Sequence, residues 1–290
     1  MTDSGSWYDE TLHDSVRQGL RIERVLHREK TAHQDLIIFE NQRFGRVLAL
    51  DGVIQTTEGD EYVYHEILVH MPVLGHGSAK DVLIVGGGDG GALREVLRHP
   101  AVERAVMVEI DASVIEFCRE HLPNHSAGAF DDARAEIVIA DGAAFVAETG
   151  ETEAGRRFDV IIIDSTDPIG PGEVLFSETF YAGCKRCLTP GGVLVTQNGV
   201  PAVQGEEVTH SHARLGAHFA DVAFYLAPVP TYSGGFMAFG WASDDTGPRQ
   251  TPLEVLEARY AAAGIETRYY NPEIHRAAFA LPNDVQALMG

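Results

Sequence analysis

Between Arg21 and Thr57 the chain arranges apolar and polar residues in short runs of strand type: Arg21-Ile22-Glu23-Arg24-Val25-Leu26, Asp35-Leu36-Ile37-Ile38-Phe39-Glu40, Arg46-Val47-Leu48-Ala49-Leu50 and Val53-Ile54-Gln55-Thr56-Thr57. The last two flank Asp51-Gly52, a pair that tolerates positive φ at both turn positions and so signals a tight hairpin. A small antiparallel β unit is predicted. From Asp60 to Leu74 the period changes, with Tyr64, Ile67, Leu68 and Met71 at helical spacing. The break Gly75-His76-Gly77-Ser78 follows. It divides the chain into residues 1–77, a β domain with a linking helix, and residues 78–290.

Beyond that break, apolar runs recur at Asp81–Val85, Arg104–Glu109, Ala135–Ile139, Phe158–Ile163 and Gly192–Thr196, with helical segments such as Gly91–Leu97, Ala112–His121 and Glu178–Leu188 between them. Alternating β and α units predict an α/β fold with a mostly parallel sheet covered on both faces. The end differs, because Val222–Ala227 and Phe236–Trp241 are joined by a Pro/Gly-rich stretch with no helix. A closing antiparallel pair of this kind suits a Rossmann-like sheet of the methyltransferase type better than a dinucleotide-binding dehydrogenase.

Composition narrows the class. With 290 residues and 44% hydrophobic content the chain is the size of a globular enzyme, and no apolar run approaches the ~18 residues of a membrane span. The start, Met1 to Trp7, has no basic region followed by an apolar one, so a cytoplasmic protein without membrane association is expected. The net charge of −21 argues against a nucleic-acid partner and is compatible with a cationic small molecule, although a solvated or salt-adapted surface is the simpler account of it. Cys118, Cys184 and Cys187 make no disulfide framework, and Cys184 and Cys187 read as two thiols on one helical face. His210, His212 and His218 lie in an ordinary amphipathic stretch, and no metal site is expected.

Three strand ends carry candidate chemistry. Gly86-Gly87-Gly88-Asp89-Gly90-Gly91 joins a strand to a helix, the context in which a G-x-G-x-x-G match signals a nucleotide-like ligand. By itself it fits NAD and S-adenosylmethionine equally. Glu109 ends the next strand, where a carboxylate accepts from both ribose hydroxyls, and Asp141-Gly142 ends the third. Asp89 discriminates among ligands, since an acid inside the turn repels a pyrophosphate or a methionine carboxylate and favours an ammonium. A fourth strand, Ile161-Ile162-Ile163, ends in Asp164 and, three residues later, Asp167, before Pro168-Ile169-Gly170-Pro171. Both acids are candidates for gripping or deprotonating a cation.

On these residues the chain resembles the spermidine synthases, the polyamine aminopropyltransferase family. The likeness runs from Trp7 and Glu10-Thr11-Leu12-His13 through Leu50-Asp51-Gly52, Tyr64-His65-Glu66, the glycine-rich turn, Asp164 to Pro171 and Tyr269-Tyr270-Asn271-Pro272, as far as Ala278-Phe279. It implies transfer of the aminopropyl group of decarboxylated S-adenosylmethionine to putrescine, giving spermidine and 5'-methylthioadenosine. No tightly bound cofactor is implied, and a homodimer or homotetramer is. Position by position, Gln34, Gly86, Gly88, Glu109, Asp141, Gly142 and Pro171 would hold the nucleoside part and Asp89 the aminopropyl ammonium. His65 and Asp167 would contact the polyamine, with Tyr64, Gln55 and Tyr232 nearby, and Asp164 would accept the proton.

The chemistry suits those residue types. A sulfonium leaves as a neutral thioether without acid or metal, whereas an alkyl ammonium must lose a proton before it can attack. An Asp serves if desolvation lowers the amine's pKa and a neighbouring acid, here Asp167, raises the carboxylate's. The loop from Pro168 to Phe176 reads as a lid. Two positions depart from some relatives, His65 where they carry Gln and Asn198-Gly199 where they carry an acid. Both bear on the acceptor, so cadaverine, agmatine or spermidine stand as alternative amines, and a methyltransferase on the same fold is the alternative reaction.

Overall fold

The computed structural model describes residues 6–151, 156–168 and 170–290, with Pro171 by its backbone alone. Two short strands, β1 (Trp7–Asp9) and β2 (Gly19–Arg21), pair antiparallel. The single strand expected over Arg21–Leu26 is therefore divided. Ile22 donates its N–H to the carbonyl of Ser6, while Glu23 donates to Glu40 and opens a new ladder with β3 (Arg24–Lys30). Segment 7–9 is too short to show an alternation, yet it satisfies backbone groups that one long strand would have left unpaired.

Strands β3, β4 (Asp35–Asn41), β5 (Gly45–Leu50) and β6 (Val53–Thr57) form a four-stranded antiparallel meander. Its tight turn has Asp51 at φ 50° and Gly52 at φ 88°, as the Asp-Gly pair predicts. Helices α1 (Glu61–His76), α2 (Gly91–Leu97) and α3 (Ala112–His121) follow in the chain. The meander's two faces alternate: Leu36, Ile38, Leu48 and Leu50 pack on Val114 and Cys118 of α3, whereas Ile37, Phe39, Val47 and Ala49 pack on Leu20 and Ile22.

The larger sheet comprises β7 (Asp81–Gly86), β8 (Arg104–Glu109), β9 (Ala135–Ile139), β10 (Phe158–Asp164), β11 (Leu188–Gln197), β12 (Asp221–Pro228) and β13 (Phe236–Ser243), in the spatial order β12-β13-β11-β10-β7-β8-β9. Strands β7 to β11 are parallel, and β13 runs antiparallel to both β11 and β12, the expected closing pair. Between and after them lie α4 (Pro123–Ser126), α5 (Gly142–Glu151), α6 (Glu178–Cys187), α7 (Pro201–Gly216), α8 (Leu253–Ala263), α9 (Pro272–Ala278) and α10 (Asn283–Ala287).

Strand periodicity divides the apolar runs between two cores. Val82, Ile84, Val160 and Ile162 face α1 and α2, while Leu83, Val85, Ile161 and Ile163 face α5 and α6, where the thiols of Cys184 and Cys187 are buried and free. Burial on both faces explains why these strands are continuously apolar rather than alternating. The chain leaves β7 toward β8 on one side and returns to β10 on the other. This reversal of strand order opens a crevice at the strand ends.

Two buried acids lock long-range connections around that crevice. Glu66 of α1 accepts backbone N–H bonds from Arg268, Tyr269 and Tyr270 at 2.8, 2.7 and 2.8 Å. Asp60, at the start of α1, accepts from the N–H and hydroxyl of Thr231, each at 2.7 Å. Among the described residues, no helix is long and apolar enough to cross a membrane.

Candidate active site

A cleft of about 360 Å³ opens over the carboxyl ends of β7 to β10, and Gln34, Gly86, Gly88, Glu109, Asp141 and Gly142 all line it. The contact expected for the Pro171 side chain lies outside the described residues. A smaller cavity of about 50 Å³ adjoins the cleft and reaches toward α7 and the N-terminal segment. Gln55, Tyr64, Asp167 and Tyr232 line both spaces. The candidate residues thus converge although they come from both sheets.

In the half of the cleft expected to take the nucleoside, Glu109 is 8% exposed, and burial pushes its carboxyl up to about 7 against the pull of the Asp111 N–H, 3.0 Å away. Gln34 donates to Asp111, which also caps α3 through the N–H of Ser113. Asp141 is itself a helix cap: one oxygen accepts from the N–H groups of Ala143 and Ala144 at 2.8 and 3.1 Å. Its other oxygen is not engaged by the cap.

The acids expected to meet the amines lie where β7 and β10 are neighbours. Asp164, the last residue of β10, accepts a 2.7 Å hydrogen bond from the Tyr64 hydroxyl. Burial pushes its carboxyl up to about 6; the charge on Asp89 adds to the rise, and His65 and Tyr64 oppose it. The neighbour that lifts Asp164 is therefore Asp89 rather than Asp167, a correction with a topological cause. Strand pairing sets Asp164 opposite Gly86, at the start of the turn that carries Asp89. Asp167 instead sits past the strand end, where its Oδ1 takes the amide of Gln204 at 2.8 Å. Burial raises the Asp167 carboxyl too, opposed by Gln204 and His13.

Asp89 behaves oppositely. Burial works to raise it, but the His65 charge and the Gly91 N–H outweigh burial and hold it well below the usual carboxylate range. His65 lies in α1 one turn after Glu61, with Nδ1 2.6 Å from Glu61 and Nε2 3.5 Å from Asp89. Burial disfavours its charge, yet the two acids raise the imidazole well above its ordinary value. Both ring nitrogens are thus taken by carboxylates. Gly91 makes this possible, because a Cβ there would lie 2.2 Å from the ring. Behind His65, Glu61 pairs with Arg94, Arg94 with Glu95, and Glu95 with Arg98, at 2.8, 2.7 and 2.7 Å.

Tyr232 spends its hydroxyl on the Gln55 backbone carbonyl at 2.6 Å, which joins the β12–β13 connection to the N-terminal sheet. Sequence reading missed Glu61, Gln204 and Glu207. Only the first had a signal, four residues before His65 on a predicted helix. His65, Asp89 and Asp164 could bring one ligand atom each within 4.8 Å of one another. A divalent cation there would have to displace the imidazolium that already balances the two acids.

The spermine/spermidine synthase domain family matches residues 61–251, and the spermidine synthase tetramerisation domain family matches residues 6–58. Polyamine aminopropyltransferases from Escherichia fergusonii and Shigella flexneri are each 57% identical over 286 residues, covering 99% of this chain and 97% of theirs. A spermidine synthase solved with the transition state analogue AdoDATO superposes at a TM-score of 0.92 with 40% identity, over 100% of this chain and 96% of that one. Spermidine synthase from Thermotoga maritima superposes at 0.89 with 38% identity, over 100% and 95%.

Proposed function

Since the chain belongs to the spermine/spermidine synthase family and is a polyamine aminopropyltransferase, we propose that it moves the aminopropyl group of decarboxylated S-adenosylmethionine to putrescine. The observation that carries this reading is the pair of carboxylates at neighbouring strand ends whose pKa values are driven apart, Asp164 up to about 6 and Asp89 well down. Groups separated in this way take different roles. Asp89 stays ionised and holds the donor's terminal ammonium. Asp164, poised closer to neutrality, takes a proton from the incoming amine.

The freed amine attacks the aminopropyl carbon next to sulfur. The carbon–nitrogen bond forms as the carbon–sulfur bond breaks, the bonding pair returns to sulfur, and 5'-methylthioadenosine leaves as a neutral thioether. The proton lost by the amine resides on Asp164. Tyr64 orients that carboxylate, and the in-line arrangement supplies much of the rate. Gln34, Glu109, Asp141 and the Gly86–Gly88 turn hold the nucleoside, and Asp167 draws the acceptor. We place His65 behind Asp89, as the charge that keeps it ionised, rather than on the amine.

Segment 6–58, which matches the tetramerisation domain family, also serves assembly into an oligomer, for which we propose a tetramer acting in the cytoplasm. The deciding experiment gives the purified protein decarboxylated S-adenosylmethionine and putrescine, then measures methylthioadenosine and spermidine by mass spectrometry. Stoichiometric formation of both is expected. Methyl transfer from ordinary S-adenosylmethionine, with no aminopropyl product, would replace this reading with a methyltransferase.

A further inference from the structure

The acceptor end of the site contains an acid that the mechanism above does not use. Gln204 stands on α7 with its side-chain amide nitrogen 2.8 Å from Oδ1 of Asp167 and 2.9 Å from Oε1 of Glu207. Its carbonyl oxygen accepts the Val200 N–H at 2.8 Å. Both amide hydrogens are therefore committed, one to each carboxylate. The second oxygen of Glu207, Oε2, is buried and has no hydrogen-bond partner among the described residues. A buried carboxylate oxygen left in this state is unfavourable unless a proton or a nearby cation compensates it.

The position of that oxygen says where a cation would come from. Gly199 and Gln204 line the smaller cavity, and Glu207 stands directly behind them. Gly199 adopts φ +64°, and a Cβ on it would lie 2.7 Å from Glu207 Oε2. Gly199, which lines the cavity, is thus in close contact with that oxygen. Burial first, and then the charge on Asp167, push the Glu207 carboxyl up to about 8, with Gln204 opposing. Across the cavity, Glu10 of the N-terminal segment is also raised by burial and by Asp167. Among the described residues that line this cavity, Glu10 and Asp167 are the acids, and no Lys or Arg accompanies them.

We propose that Glu207, acting through Gln204 and by its charge behind Gly199, is the positioning residue that makes this enzyme prefer an acceptor with a second ammonium over a monoamine of the same length. The inference rests on the aminopropyltransferase reading, in which the reacting nitrogen lies at Asp164. A diamine then places its far ammonium in the cavity lined by Asp167, with Glu207 behind Gly199 and Gln204. A monoamine places a methyl group there, which neither carboxylate stabilises.

Steady-state kinetics with decarboxylated S-adenosylmethionine and either putrescine or n-butylamine tests this on the wild type, Glu207→Gln and Glu207→Asp. Glu207→Gln keeps an acceptor for the Gln204 amide, so the fold should survive. It should raise the KM for putrescine about tenfold with kcat changed less than about twofold, and leave kcat/KM for n-butylamine and the KM of the donor unchanged. The diamine preference then falls about tenfold, and Glu207→Asp recovers most of it. An equal loss for both amines, or an unchanged ratio, overturns the inference. If the wild type turns over no amine, the aminopropyl-transfer reading fails instead, and the same ratio, read as calorimetric affinities for the two amines, still decides the role of Glu207.

Discussion

The Tyr64 hydroxyl donates to Oδ1 of Asp164 across 2.7 Å, so the acid at the end of β10 is held by a residue from α1. This leaves the other carboxylate oxygen outside that bond, and in the proposed reaction it is the one that takes the amine proton. Asp164→Asn preserves shape and removes the proton acceptor. Turnover should drop ~10²- to 10⁴-fold while calorimetric affinity for the donor is retained. An Asn variant of full activity would take Asp164 out of the reaction.

The pH profile follows from the same contact. A carboxyl raised to about 6 is protonated, and useless as a base, below that value. Accordingly kcat/KM should fall about tenfold per pH unit below about 6 and level off above it. The Tyr64 bond favours the ionised form, so Tyr64→Phe should move this acidic limb upward by about one unit. A limb that stays in place, or moves down, contradicts the assignment.

Asp89 should set donor choice. Held ionised, it attracts the ammonium of the decarboxylated donor and repels the carboxylate of ordinary S-adenosylmethionine. Competitive binding should favour the decarboxylated form by at least about tenfold in the wild type. Asp89→Asn should erase most of that margin, and equal affinities in the wild type would refute the role.

Gly91→Ala puts a general rule against a local one. Helix propensity alone stabilises such a change by about 1 kcal/mol. Here the new methyl would lie 2.2 Å from the His65 ring, so the ring must leave the space between Glu61 and Asp89. His65 should then titrate near the ordinary ~6.5 in NMR rather than well above it, and donor affinity should weaken. A stabilised variant with unchanged His65 titration would count against the arrangement.

Glu66→Ala addresses stability. It leaves three backbone N–H groups of residues 268–270 without their acceptor. A loss of about 3 kcal/mol or more is expected, lowering Tm by roughly 6 °C or more. Faster hydrogen exchange should concentrate in the C-terminal segment. Exchange unchanged there would mean that the segment docks by other contacts.

Much of this was legible in the sequence, and the boundary of legibility is physical. Apolar runs buried on both faces announced the parallel strands, and Asp51-Gly52 announced its turn, because each depends on local chemistry. What failed was reasoning about neighbours across the fold. Asp167 is close to Asp164 along the chain, yet Asp89 is the acid that acts on it, since strand pairing rather than chain distance sets proximity. Glu66 and Tyr269-Tyr270 were both visible as motifs, while the bonds between them were not. Glu207 gave no signal at all, because its significance depends on an oxygen with no partner and on a glycine that only the folded chain brings beside it.

The row Asp89, His65, Glu61, Arg94, Glu95, Arg98 alternates in sign from the cleft outward to a partly exposed guanidinium. Each inner member is met by an opposite charge on either side. Neutralising Glu61 alone would leave the His65 imidazolium and the Arg94 guanidinium, two like charges, facing each other without its compensation.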